Sequence, residues 1–143
     1  LLDSVHNYMF KNLTGAICVV SNQGNMESGA ATRDIVSAMF IKIREYIERY
    51  FLDKYNYNVN VDFAASFTDD PTDFMRKPNP GLGYHLAIRN NLTLARCVMI
   101  GNDEADEGFA NACVMNYFGI EQFVMFYSPN DIYRKGLDNE SPL

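Results

Sequence analysis

The sequence has no apolar run that approaches the length of a membrane-spanning helix, which is about 20 residues. Its first residues, LLDSVHNYMF, also lack the basic segment that precedes the apolar core of a signal peptide. We therefore expect no membrane contact. The sequence lacks an initiator Met as well, and we expect that it begins inside a longer polypeptide.

Basic residues are in deficit, and cysteines are few. Twelve Lys and Arg stand against 18 Asp and Glu, which gives a net charge of −6 and a pI near 4.8. This balance argues against a broad nucleic-acid interface but permits a small anion held by one or two cations. Cys18, Cys97 and Cys113 form no CxxC pair, and the first two lie in apolar runs typical of reduced core residues. An intracellular location, in the cytosol or an organelle matrix, fits best.

Helical and extended patterns alternate along the 143 residues, a length typical of one domain. The helical periodicity covers 1–12, 32–54, 81–92 and the segment that NDEADEG opens. The short apolar runs that read as strands are 15–21, 58–67, 96–101 and 122–127. Gly119 is predicted to end the helix before the last strand. Such strands predict a parallel sheet with helices on both faces, a three-layer αβα fold.

The longest helical segment, 32–54, is predicted to present one apolar face. That face consists of Ile35, Val36, Met39, Phe40, Ile43, Ile47, Tyr50 and Phe51. The core of the predicted domain runs over residues 1–127. Residues 128–143 are predicted to form a C-terminal extension with a short turn of helix and a polar tail.

Polar segments follow three of the predicted strands. They are SNQ, the loop from TDD to RKP, and GNDEAD. In open parallel sheets, ligands bind beyond the carboxyl ends of the strands. We therefore expect these segments to converge on one edge of the sheet.

The first two segments contain candidate anion ligands. Ser21 and Asn22 could cradle a phosphoryl oxygen with a hydroxyl and backbone N–H groups, or they could simply form a turn. Lys77, which follows Arg76, could neutralise a phosphoryl group, or it could be a solvated surface lysine.

The third segment contains candidate metal ligands. Asn102, Asp103 and Asp106 offer the oxygen atoms that Mg²⁺ prefers. Acidic residues at this position are equally typical of a helix N-terminus, where they cap the helix and complement its dipole. Taken singly, each of these segments leaves both interpretations open.

Taken together and in this order, SNQGNMESG, RKPNPG and IGNDEADEGFANA resemble motifs of the haloacid dehalogenase (HAD-like) superfamily of Asp-nucleophile phosphatases. The resemblance covers residues 1–127. It is greatest to the branch containing histidinol-phosphate phosphatase, heptose-bisphosphate phosphatase and the 3′-phosphatase domain of polynucleotide kinase. It implies a capless, Rossmann-like sheet and Mg²⁺-dependent hydrolysis of a phosphorylated small molecule or nucleic-acid end.

The resemblance also implies roles for individual residues. Ser21 would donate a hydrogen bond to the phosphoryl group, and Lys77 would neutralise it and orient the nucleophile. Asn102 would hold Mg²⁺, with Asp103 as a substitute ligand, and Asp106 would support Lys77 or the metal's outer shell. Asn22 and Arg76 complete the set of phosphate-binding candidates.

Three features depart from the family pattern or narrow it. The Asp-x-Asp motif that carries the nucleophile would lie ahead of Leu1, and nothing in the chain replaces it. Asn102 stands where the family usually has Asp, and an uncharged amide should hold Mg²⁺ less well. The loop FTDDPTDFM has no Cys or His, so no zinc site is expected, and this favours the polynucleotide-phosphatase side of the branch.

The missing motif has a structural consequence. In this family the nucleophile's strand is central, and here it would lie between the strands at 15–21 and 96–100. Without it both strands would have unpaired backbone groups, which is costly. We therefore expect that the 143 residues do not fold stably alone, and that an upstream segment or another chain completes the sheet.

Three functions are compatible with these observations. The first is a phosphomonoesterase whose nucleophile lies outside the chain. The second is a catalytically inactive HAD-like module that serves as a structural or interaction part of a larger assembly. The third is a nucleotide- or flavin-binding domain, which the lack of a GxGxxG motif disfavours.

Overall fold

The computed structural model describes residues 1–12, 15–24 and 33–129. Helices and strands alternate along the chain, which confirms the α/β class. The elements are α1 (Leu2–Asn12), β1 (Ala16–Asn22), α2 (Arg33–Tyr55), β2 (Asn60–Ser66), α3 (Gly81–Asn90), a 3₁₀ turn (Leu94–Arg96), β3 (Val98–Gly101), α4 (Glu104–Ala112), β4 (Asn116–Gly119) and α5 (Ile120–Phe126).

The strands form two separate parallel pairs. β1 pairs with β2 in a register that places Val20 opposite Ala64. β3 pairs with β4, with Ile100 opposite Phe118. Over the described ranges no hydrogen-bonded ladder joins β1 to β3, so each of these strands has one unpaired edge.

Helices cover both faces of the first pair because strand side chains alternate between faces. On one face Met9 of α1 and Phe51 of α2 pack with Val61, and Ile17 packs against this cluster. On the other face Leu82 of α3 and Phe109 of α4 belong to a second cluster, against which the neighbouring Cys18 packs. The clusters comprise Met9, Ile47, Phe51, Val59 and Val61, and Ala64, Leu82, Leu86, Phe109 and Cys113.

The two strand pairs are held together by side chains. Val20 of β1 and Met99 of β3 both pack against the second cluster. On the opposite face, α1 contacts α5: Asn7 Nδ2 donates to the Tyr127 carbonyl at 2.9 Å, and the Tyr8 and Phe123 rings lie 5.8 Å apart. The two strand pairs therefore pack against the same hydrophobic cluster, although no backbone ladder joins them in the described residues.

One predicted strand was wrong. Residues 122–126 belong to a helix, α5, with Tyr127 as its C-cap, and the fourth strand is the preceding segment Asn116–Gly119. In α5 only Phe123 is fully buried, which is the burial of a short surface helix. A short apolar run such as QFVMFY does not distinguish a strand from a buried helix by periodicity. Gly119 stands at the start of α5 and does not end α4, which stops at Ala112.

The predicted single apolar face of α2 is divided. Val36, Phe40, Ile47 and Phe51 are buried, but several other members of the predicted face are exposed. They are Ile35, Met39 and Ile43, exposed by 61%, 43% and 36%. At about 100° per residue, the predicted residues span a wider arc than one sheet face can cover.

Two other expectations concern cysteines and the chain end. Cys18 and Cys97 are half-buried, not fully buried, and burial raises the pKa of the Cys18 thiol to about 11. The predicted helical turn after Pro129 lies outside the described residues. No helix in the described part of the chain is long and apolar enough to cross a membrane.

Candidate functional site

A loop with many internal hydrogen bonds places Lys77 between β2 and α3. The Arg76 guanidinium donates from Nη1 to the Thr68 carbonyl at 2.7 Å, and Asn79 Nδ2 donates to the Asp73 carbonyl at 2.8 Å. The Gly81 N–H donates to the Phe74 carbonyl at 2.9 Å, where α3 begins. Arg76 therefore helps to build the loop, and its Nη1 is engaged with the loop backbone.

Asn22 ties the end of β1 to this loop. Its Nδ2 donates to the Lys77 carbonyl and its Oδ1 accepts from the Lys77 N–H, both at 2.9 Å. The Lys77–Pro78 peptide bond is cis. The Asn22 amide thus positions the lysine, which the sequence resemblance had not indicated.

The Lys77 side chain turns inward. Its ammonium donates to Asp106 Oδ1 at 2.5 Å and to the Val20 carbonyl at 3.4 Å. The two charged side chains are only 9% and 8% exposed. Lys77 is therefore not a solvated surface lysine. An ammonium has three N–H donors, and these two acceptors are the only ones assigned to it among the described residues.

Asp106 is held on both oxygens. Oδ1 accepts from Lys77, and Oδ2 accepts from the Asn102 N–H at 3.1 Å. Burial raises the pKa of the carboxyl, but the hydrogen bonds from Lys77 and the backbone outweigh it and hold the pKa below 3.8. A methyl group at Gly101 would overlap the Asp106 side chain, with its Cβ only 2.5 Å from Oδ2. A residue without a Cβ at the end of β3 is thus needed for this contact.

The start of α4 serves first as a helix cap. Asp103 is the N-cap, and its Oδ1 accepts from the Asp106 N–H at 2.8 Å. Asn102 is exposed, and Asp106 is engaged by Lys77. No group of three or more acidic, His or Cys side chains is arranged for a metal in the described ranges. Since Mg²⁺ is often held by one or two carboxylates with water and phosphate oxygens, Asn102 and Asp103 could form part of a site.

Two hydroxyl groups lie at the ends of β1 and β2. Ser21 Oγ accepts from Gln23 Nε2 at 2.7 Å, and no acceptor is assigned to its own proton among the described residues. Ser66, one position further along the paired register, is 2% exposed. Its Oγ has no hydrogen-bond partner among the residues described. Sequence reasoning missed Ser66, and the only signal for it is its place at a strand's carboxyl end.

The three polar segments do converge as the sequence predicts. Ser21 and Asn22 end β1, Lys77 precedes α3 and bonds to Asn22, and Asp106 in the first turn of α4 bonds to Lys77. No family model matches the chain, and comparison with curated proteins and with solved structures likewise found no match. The resemblance to the HAD-like superfamily therefore depends on the three sequence motifs.

Proposed function

We propose that this chain carries the phosphoryl-binding half of a HAD-like phosphomonoesterase, whose Asp nucleophile is supplied from outside the chain. The observation that carries the proposal is the nearly buried Lys77–Asp106 ion pair at the carboxyl ends of β1 and β3. A lysine kept there by two acceptors presents a fixed positive charge in a site with little water. Such a charge stabilises a phosphoryl group most where negative charge develops during transfer.

Each residue then has a defined task. The free N–H of Lys77 donates to a phosphoryl oxygen, while Asp106 keeps the ammonium from rotating away. Ser21 donates its hydroxyl proton to a second oxygen. The carboxylate of the incoming Asp would bond to phosphorus as the bond from phosphorus to the alcohol oxygen breaks, and the leaving oxygen would take a proton from solvent water. A second water would then attack phosphorus, which releases phosphate and restores the carboxylate. Mg²⁺, when bound, would supply further positive charge to the phosphoryl oxygens.

The unpaired strand edges support a nucleophile that arrives on a strand. The Gln23 N–H donates to the Ser66 carbonyl at 2.7 Å, so odd-numbered residues of β1 direct their polar backbone groups towards β2. Cys18 and Val20 direct theirs to the opposite edge, where Lys77 reaches the Val20 carbonyl. A parallel strand between β1 and β3 would satisfy both edges and end beside Lys77. This is the capless, Rossmann-like sheet that the motif resemblance implies.

Hydrogen exchange tests the proposed strand. In the full-length polypeptide, the Cys18 and Val20 amides should exchange as slowly as those of Val19 and Ser21, which face β2. Fast exchange at Cys18 and Val20, with protection kept at the other two, would show that the edge stays open.

A second candidate is a HAD-like module without activity, which acts as a structural or interaction component of a larger assembly. The observation that favours it is Asn102, which is exposed and uncharged where the family motif usually has Asp. The unpaired edges of β1 and β3 would then accept a strand of a partner that brings no nucleophile. Such a module would keep Lys77 for its ion pair alone.

Hydrolysis of 4-nitrophenyl phosphate by the full-length polypeptide, with and without Mg²⁺, separates the two candidates. The enzyme should turn over with Mg²⁺, and Lys77→Met should reduce kcat by about 10²-fold or more, as the loss of one charge-stabilising donor does. Lys42→Met, at an exposed lysine on α2, is the matched control and should leave kcat unchanged. A folded full-length polypeptide without turnover would contradict the phosphatase proposal and favour the inactive module. The natural substrate would be a phosphorylated small molecule or a nucleic-acid end.

A further inference from the structure

The outer edge of β2, which faces away from β1, carries backbone groups that no other strand in the described part of the chain pairs. The Gln23 N–H donates to the Ser66 carbonyl, so Ser66 directs its polar backbone groups towards β1. These groups alternate along a strand, and Val61, Phe63 and Ala65 therefore direct theirs to the outer edge. An edge of this kind can pair with a strand of another molecule.

Side chains occupy this edge at its central residue, Phe63. Asp62 Oδ1 accepts from the Phe63 N–H at 2.8 Å, and Arg89 Nη2 of α3 donates to the Phe63 carbonyl at 2.7 Å. Both outward backbone groups of Phe63 therefore have side-chain partners. A strand that approached the edge would have to displace Asp62 and Arg89 before it could bond to Phe63.

These two side chains, which we call the β2 clasp, also hold each other in place. Arg89 Nε and Nη2 donate to the two oxygens of Asp62, each at 2.7 Å, and Asn90 Nδ2 donates to Asp62 Oδ2 at 2.7 Å. Burial raises the pKa of the Asp62 carboxyl, but the hydrogen bonds from Arg89 and Asn90 outweigh it and hold the pKa below 3.8. Because the Arg89 side chain is 46% exposed, the ion pair itself adds little stability, and its position over the Phe63 backbone is the more informative feature.

The Phe63 ring is held from the opposite face by α2. It stacks on the Phe40 ring with centroids 5.0 Å apart, and the Arg44 guanidinium lies 5.3 Å from its centroid. Arg44 and Arg89 therefore place a positive charge on each side of the same edge residue. If two copies of this chain met edge to edge at Phe63, these cations would face their equivalents, which disfavours the pair.

We propose that the β2 clasp prevents two copies of this chain from pairing along the outer edges of their β2 strands. Such a pair would use the outward backbone groups of Val61, Phe63 and Ala65 in both copies, and the clasp occupies the central ones. The inference is independent of the proposed function, because no bond assigned among the described residues joins the clasp to the Lys77–Asp106 ion pair.

Sedimentation velocity of the full-length polypeptide over a range of concentrations tests this proposal. Arg89→Met removes the donor to the Phe63 carbonyl and should lower the dissociation constant for self-association at least about tenfold relative to the wild type. Arg96→Met is the matched control, because Arg96 is exposed and has no ion pair assigned to it in the described ranges, and it should associate as the wild type does. Asp62→Asn is a milder second variant, which should associate more tightly than the wild type even if Arg89→Met does not fold.

Hydrogen exchange in the concentrated variants locates the contact. The Val61 and Ala65 amides should exchange more slowly than in the wild type at the same concentration, because they would pair with the second copy. Folded variants that associate no more than the wild type would overturn the proposal and leave the clasp as an ordinary ion pair. Association without added protection at Val61 and Ala65 would overturn it as well, because another surface would then form the contact.

Discussion

At the scale of residues, the site depends on one charge pair that is nearly removed from water. Lys77 and Asp106 lie on different elements and meet at 2.5 Å. Removing one partner of such a pair is costly because the other charge remains buried, whereas an apolar replacement of both is often tolerated. The pair is therefore better explained as a device that fixes the ammonium than as a source of stability.

Replacing Lys77 alone should test that explanation. Lys77→Met should lower the free energy of unfolding by about 3 kcal/mol, because Asp106 is left without its cation. The double variant Lys77→Met/Asp106→Leu should recover most of the loss. Urea unfolding of the full-length polypeptide measures both, with Lys42→Met as the surface control. A double variant no more stable than the single one would contradict this explanation.

The pH dependence of stability should follow the lowered pKa of Asp106. A lowered pKa in the folded state adds stability above the unfolded value of about 3.9, and that contribution is lost as pH falls through the folded pKa. The difference in unfolding free energy between the wild type and Asp106→Asn should therefore be largest at neutral pH and shrink below about pH 4. Urea midpoints from pH 7 to pH 2 measure it. A difference that stays constant over this range would rule out the ionised pair.

Gly101 should be needed for the approach of Asp106. In Gly101→Ala the new methyl would overlap the carboxylate, so we expect a loss of about 1–3 kcal/mol, as for other overpacked sites. Gly15→Ala is the control, because Gly15 lies just before β1 and a methyl group added there would meet no atom within 4 Å. Thermal unfolding of both variants measures the two losses of stability. Equal losses would contradict a specific contact at Gly101.

At the scale of elements, the start of α4 combines two interpretations that the sequence left open. Asp103 caps the helix, and the same first turn supplies Asp106 to Lys77. Capping therefore accounts for one acidic residue and ion pairing for another. What is left for a metal is the exposed amide of Asn102 and the second oxygen of Asp103.

Substitution of Asp103 should separate capping from metal binding. Asp103→Ala should cost about 1 kcal/mol in unfolding free energy, and Asp103→Ser should restore most of it, because a hydroxyl also caps. If Asp103 acts only as a cap, the Ser variant should keep the Mg²⁺ concentration that gives half-maximal hydrolysis. A large rise in that concentration for Asp103→Ser would assign the carboxylate to the metal instead.

The elements also show which sequence signals were sufficient. β1 and β2 were predicted within two residues, since the first is rich in Val and Ile and the second begins with alternating polar and apolar residues. The strand predicted at 122–127 was wrong, because a helix that buries only one residue, Phe123, does not need a full helical pattern of apolar residues. The face of α2 was overestimated because periodicity shows which residues share a flank, not which flank another element covers.

At the scale of the whole molecule, the two strand pairs and their shared core position the site. Convergence of the SNQ segment, Lys77 and Asp106 was predictable, because parallel strands bring their carboxyl ends to one edge. The bond between Asn22 and the Lys77 backbone was not predictable, since it joins residues 55 positions apart and leaves no local pattern. The hydrogen bond from Arg76 to the Thr68 carbonyl was not predicted either, because the positive charge of Arg76 indicated a role in binding phosphate.

No backbone ladder joins β1 to β3 among the described residues, and Lys77 lies at the carboxyl ends of these two strands. Lys77 contacts Val20 of β1 and Asp106 of α4, which follows β3. A parallel strand placed between β1 and β3 would therefore have its carboxyl end beside Lys77. Under the proposed function, the site would be shared between this chain and the segment that supplies the nucleophile.

The most direct test is whether Lys77 receives a phosphoryl group. The side-chain ¹⁵Nζ signal of Lys77 in the full-length polypeptide should be followed by NMR during titration with inorganic phosphate. We expect a saturable shift at Lys77, no shift at the exposed Lys42, and a weaker shift at Lys77 in the Ser21→Ala variant. A Lys77 signal that does not move while phosphate is added to high concentration would contradict the phosphoryl-binding site.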